Sequence, residues 1–198
     1  MFIDVMRPTP VDKVLDVGGE DGRYLEGLYP YRANITVVDL RLEPLVALRQ
    51  QFPEIATVQS NGCHLPFADD SFDIVFANSL LEHVVGIVDR RQLANEIMRV
   101  GRRFFVATPN YYFPFEPHYH VPLFQFLPRR LQQAIKHRIG LGWYPKGVWE
   151  EIALLTPGKM RRLFPGARLF VHGVLGLPQT LIACTLPPSA GIMSNEQE

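Results

Sequence analysis

The polar residues able to do chemistry stand where apolar runs stop. The run KVLDVG at 13–18 passes into Asp16-Val17-Gly18-Gly19-Glu20-Asp21-Gly22. Glycines in such a turn let the backbone approach a ligand closely, and the amino end of a following helix attracts negative groups. The run ITVVDL at 35–40 carries Asp39, a carboxylate able to accept two hydrogen bonds from ribose hydroxyls, with Leu40 beside it. A third run leads into Asn61-Gly62-Cys63, where an amide oxygen and free backbone groups can read a base edge. A fourth, FDIVFA at 72–77, ends at Asn78. An acidic residue after the second run also fits a dinucleotide dehydrogenase, but the GxGxxG spacing is absent, since Gly18, Gly19 and Gly22 do not form it.

A second group lies in PNYYFPFEPHYHVPLFQFLP, residues 109–128, with five prolines and seven aromatics. It is too broken for a core element and too apolar for a solvated linker, so it reads as a lid or binding surface folded over the strand ends. Glu116, His118 and His120 are its candidate catalytic groups, because histidine can take a proton near neutral pH. Three ligands at alternate positions of one short stretch are rarely presented to one ion, so no metal is expected. His83 is expected at a helix start on the pocket floor, and His64 in an exposed loop.

These groups need strands to carry them. Strand patterns occur at 13–18, 35–40, 56–60, 72–77 and 102–108, with helices between them at 23–31, 43–52 and 79–100, the last broken near Gly86. Such alternation implies βαβ units, a parallel sheet and right-handed crossovers. Ligands of an open α/β sheet sit beyond the carboxyl ends of its strands, where every candidate above falls. A basic helix follows at 129–139, with Leu131, Ile135 and Ile139 on one face and Arg129, Arg130, Lys136 and Arg138 offering a solvated face or a peripheral membrane contact. A short helix at 159–164 and the runs ARLFVHG and TLIACTL complete the pattern.

The 198 residues are 47% apolar and 20% charged, which excludes a disordered or fibrous chain, and a net charge of zero gives no sign of nucleic acid as partner. Residues 1–98 carry 8 Lys/Arg against 15 Asp/Glu, and residues 99–198 carry 12 against 5. Cys63 and Cys184 read as small buried hydrophobes of a reducing compartment. No Asp, Glu, Lys or Arg occurs from 169 to 195, but glycines and prolines break that stretch below the ~20 residues of a spanning helix. With no signal-peptide pattern at the start, a cytoplasmic protein is expected. One domain over 1–188, with an insertion at 109–147 and a disordered tail at 189–198, accounts for the length.

LDVGGEDG, VVDL and above all NGCHLPFADDSFDIVFANSLLEHV closely resemble class I S-adenosylmethionine-dependent methyltransferases of the type 11 group, over roughly residues 11–110. The aromatic insertion further resembles a subset linked to surface-glycan biosynthesis. The resemblance implies a Rossmann-like, mostly parallel seven-stranded sheet with helices on both faces and the last strand antiparallel. It implies S-adenosyl-L-methionine as cofactor. Asp16, Gly18, Gly19, Glu20 and Gly22 would lie against its methionyl part and ribose, Asp39 with Leu40 at the ribose hydroxyls, Asn61, Gly62 and Cys63 at the adenine, and Asn78 near the methionyl amine. Two positions depart from the family pattern: Glu20 replaces the middle glycine of the turn, and Asn61 replaces an Asp. The expected activity is methyl transfer to an oxygen of a small-molecule or glycan-like acceptor; the alternative is a catalytically silent binding protein.

Overall fold

The computed structural model describes residues 1–20, 22, 29–142, 144–145 and 150–186. The expected helix at 23–31 and the tail at 189–198 lie largely or wholly outside these residues.

Strands β1 (Val14–Val17), β2 (Ile35–Asp39), β3 (Ala56–Gln59), β4 (Phe72–Asn78) and β5 (Gly101–Pro109) match the apolar runs of the sequence. Two further strands, β8 (Arg168–Val174) and β9 (Leu177–Cys184), complete a sheet of order β3-β2-β1-β4-β5-β9-β8. Strands β1 to β5 pair in parallel, and β9 runs antiparallel between β5 and β8. The small strands β6 (Phe115–Glu116) and β7 (Val121–Pro122) form a separate hairpin in the insertion. Helices α1 (Phe2–Met6), α2 (Leu42–Gln51), α3 (Ile87–Val100), α4 (Arg129–Arg138) and α5 (Pro157–Leu163) are described.

The central strands are buried on both sides, as continuous apolar runs require. Along β4, Ile74 and Phe76 pack with Phe2, Met6, Leu45 and Leu48 on one face, whereas Val75 and Ala77 pack with Leu93, Ile97 and Met160 on the other. Helices therefore cover both faces. Strand order reverses between β1 and β4, so the crevice for a ligand opens beyond Val17 and Asn78.

Two expected helices and the place of His83 are corrected, and one helix is added. Residues 79–86 are not helical: Ser79 takes φ 53°, His83 N donates to Leu80 O at 3.1 Å in a turn, and the helix starts only after Gly86. His83 consequently sits in that turn and not at a helix start. Helix α4 leaves Leu131 exposed, as is Ile139 just past its end, and buries Lys136, whose ammonium lies 4.3 Å from the Tyr119 ring centroid. Finally, α1, absent from the sequence reading, seals one face of the sheet with Phe2 and Met6.

Candidate active site

The first βα turn is built around Asp16. Its side chain is buried, and Oδ2 has no hydrogen-bond partner among the described residues. Burial, reinforced by the charge of Asp39, pushes its pKa up to about 7. A Cβ on Gly19 would stand 2.5 Å from Asp16 Oδ2, so any side chain there would fill the space the carboxylate faces. Gly18 has φ 71° and lies against Leu80, two residues beyond the end of β4.

Asp39 is nearly buried at the end of β2 and is held at both oxygens: Arg41 N donates to Oδ1 at 2.8 Å, and Glu20 N donates to Oδ2 at 3.2 Å. Each carboxylate oxygen has two acceptor sites, so capacity for two hydroxyl donors remains. Glu20 adopts the left-handed φ of 48°, costing roughly 1–2 kcal/mol for a non-glycine residue. Its side chain turns out to pair with the Arg41 guanidinium, which also lies 3.6 Å from Asp39 Oδ1. Leu40 is exposed beside this rim. Asn61 folds its own oxygen onto Cys63 N at 2.9 Å, and Cys63, nearly buried, donates its thiol to Asp89 O. Gly62 lies against Leu93 and Val17. The expected cofactor residues thus lie in or just after β1, β2, β3 and β4. An unpartnered buried carboxylate, a glycine cradle and a rim carboxylate with spare acceptor sites fit a ligand that carries both a cationic group and a ribose.

A second cluster lies beyond β4 and β5. Glu82 is fully buried; Thr108 Oγ1 donates to its Oε2 at 2.8 Å, and burial pushes its carboxyl pKa up. His118 from the insertion points here, with Nε2 3.9 Å from Glu82 Oε1 and Nδ1 2.8 Å from Glu116 Oε1. Burial opposes charging of His118, yet the hydrogen bond and charge of Glu116, with the charges of Glu82 and Glu150, raise its pKa overall. Glu116 is buried and fixed by the backbone N–H groups of His118 and Tyr119. His83 and His118 meet edge to face at 5.3 Å, and His83 Nδ1 lies 3.0 Å from Glu150 Oε1. His120 is exposed and stacks on Phe115. The structure therefore brings Glu116 and His118 together with Glu82 and His83 and leaves His120 outside. A large cavity, about 1030 Å³, is lined elsewhere, by residues such as Arg90, Tyr111, Phe126, Lys136 and Arg162.

Residues 15–103 match the family model of a methyltransferase domain. The fold is that of class I methyltransferases. Among solved structures, an S-adenosylmethionine-dependent methyltransferase from Mesorhizobium loti has a TM-score of 0.62 at 16% identity, covering 87% of this chain and 89% of its own. A SAM-dependent methyltransferase from Methanosarcina mazei has a TM-score of 0.60 at 17% identity, covering 90% and 94%. By sequence, an uncharacterized protein of Mycobacterium tuberculosis is 30% identical over 99 residues, 48% of this chain and 33% of that protein, so this methyltransferase-like chain spans about a third of that relative's length. The ubiquinone biosynthesis O-methyltransferase of Aeromonas salmonicida is 25% identical over 170 residues, covering 83% of this chain and 66% of its own. The matched domain and the fold imply S-adenosyl-L-methionine as the cofactor.

Glu82 and His83 were within the matched LEHV segment but carried no assigned chemistry in the sequence. Glu82 was hidden in an expected helix, and its partner His118 lies 36 positions away. The available signal was a carboxylate and a histidine placed within a few residues of a strand end.

Proposed function

We propose that the chain transfers a methyl group from S-adenosyl-L-methionine to an oxygen of a small-molecule or glycan-like acceptor. The observation that carries this reading is the buried, unpartnered Asp16 carboxylate oxygen facing a glycine cradle at the strand-order switch, with Asp39 at the next strand end. Bound there, the cofactor supplies an electrophilic methyl group on a sulfonium. Asp16 and the Gly18–Gly19 backbone hold the cationic end, and Asp39 orients the ribose, which fixes the line of attack. An oxygen acceptor must lose a proton, and the carboxylate–imidazole cluster of Glu82, Glu116 and His118 lies at the adjoining strand ends to receive it. The name of the Aeromonas relative, an O-methyltransferase, agrees with an oxygen acceptor.

Titration calorimetry tests this reading. The full chain should bind S-adenosylmethionine and its demethylated product but not NAD, and Asp39→Ala should weaken binding ~10-fold or more by removing charge-assisted bonds. No heat with either sulfur nucleoside at millimolar concentration overturns it. The Glu20–Arg41 pair beside Asp39 favours a second reading, a silent binding protein, and that null titration is the result it requires.

A further inference from the structure

We propose that Glu82, His83 and His118 form a binding site for one divalent transition-metal ion at the ends of β4 and β5. One ligand atom from each of the three lies within 4.8 Å of the other two. The argument rests on what each side chain has already spent and what it keeps.

Glu82 spends Oε2 on the Thr108 hydroxyl, whereas Oε1, on a side chain with no exposed surface, has no hydrogen-bond partner among the described residues. A buried carboxylate oxygen without a partner is costly, and binding a cation removes that cost. The nearby Arg90 guanidinium does not serve it, because Nε donates to Val84 O at 2.6 Å and a terminal nitrogen to Val85 O at 3.2 Å. His118 Nε2 is 3.9 Å from Glu82 Oε1. That is too long for a hydrogen bond but suits two ligands of one ion with bonds of ~2.0–2.2 Å.

Both imidazoles are prepared alike. Glu116 holds Nδ1 of His118 at 2.8 Å, and Glu150 holds Nδ1 of His83 at 3.0 Å. Each carboxylate fixes the proton on Nδ1 and leaves the Nε2 lone pair for the ion, the usual outer-shell support of a metal-bound histidine. Two nitrogens and one oxygen leave coordination positions open, as in a catalytic site. The three side chains come from two separate segments, so this is neither an acidic patch nor the local Glu116-x-His118-x-His120 triplet. Glu116 stands behind His118, and His120 faces away to Phe115.

Metal binding stands without any assumption about catalysis. Its use rests on the methyl-transfer reading and, with the ion bound, replaces direct proton acceptance by Glu82 and His118: an acceptor hydroxyl at an open position gives its proton to solvent more readily. The O–C bond then forms as the S–C bond breaks, releasing a neutral thioether.

The full chain is stripped with a chelator and titrated with Co²⁺, followed by visible absorption and thermal unfolding, with Zn²⁺ as competitor. The expected result is saturation at one equivalent, a rise in Tm and displacement by Zn²⁺. Glu82→Gln and His118→Ala should each weaken binding ~100-fold or more, and Glu150→Gln should weaken it ~10-fold, whereas His64→Ala should leave it unchanged. Binding that does not saturate at one equivalent overturns the proposal. So does binding indifferent to Glu82→Gln, a variant of unchanged shape whose fold is checked by circular dichroism. No cofactor is present in this titration, so its failure is distinct from failure of the cofactor titration above.

Discussion

Asp16 couples the cofactor crevice to pH. Its folded-state pKa of about 7 lies above an unfolded value of ~3.9. The stability that the protonated folded form contributes is therefore complete below pH ~4 and lost as pH rises to ~7. A cationic ligand requires the ionised form. Affinity for S-adenosylmethionine should accordingly rise between pH 5.5 and 8, by up to ~10-fold per unit below the pKa, and level off above it. Asp16→Asn should flatten that profile and weaken binding, while raising Tm at pH 8 far more than at pH 4; calorimetry and thermal melts across the range check both. An affinity that does not change with pH would remove Asp16 from the ligand's surroundings. The place of Asp16 and Asp39 was legible in the sequence because a lone carboxylate at the end of an apolar run has few other uses. Which oxygen lacked a partner was not legible, since that depends on what Gly19, Glu20 and Arg41 do in space.

Elements with strong patterns were also legible. β1, β2, β4 and β5 appear where continuous apolar, β-branched runs predict buried parallel strands. The misreading of residues 79–86 has a local cause: periodic apolar residues there suggest a helix, but left-handed Ser79 and a closed turn at Leu80–His83 intervene. That irregular stretch is what aims Glu82 inward. The five residues of α1 are too few for periodicity to show. Element geometry makes a prediction at the β8–β9 hairpin, whose two-residue loop is Leu175 (φ 52°) and Gly176 (φ 78°). Both residues are left-handed, as a type I′ turn demands, and the first place favours Asn. Leu175 is also 97% exposed. Leu175→Asn should therefore stabilise the protein by about 0.5–1 kcal/mol, measured by denaturant unfolding. A loss of stability would mean that the leucine is held by contacts the fold does not display.

At the scale of the molecule, the acidic first half and basic second half do not become two lobes. The first half supplies β3, β2, β1 and β4 and the second supplies β5, β9 and β8 of one continuous sheet, and the large cavity draws Arg90 and Arg91 from the first half and Arg129, Lys136, Lys159 and Arg162 from the second, against Glu151. Cations gathered around one space repel one another, and a multivalent anion relieves that repulsion. Inorganic pyrophosphate should therefore raise Tm more than sodium chloride of equal ionic strength, and Lys159→Glu with Arg162→Glu should abolish the difference. Equal shifts would show that these charges are too well solvated to act together. Another consequence follows from the sheet's last strand. β8 has no strand outside it among the described residues, and past its exposed first residue, Arg168, it offers no Asp, Glu, Lys or Arg to ward off a neighbour. What interrupts the edge is the slip in pairing between His172 and Gly173, which breaks the regular ladder of backbone donors and acceptors. In a crowded solution, resistance to edge-to-edge fibre growth would rest on that one-residue irregularity more than on electrostatic repulsion.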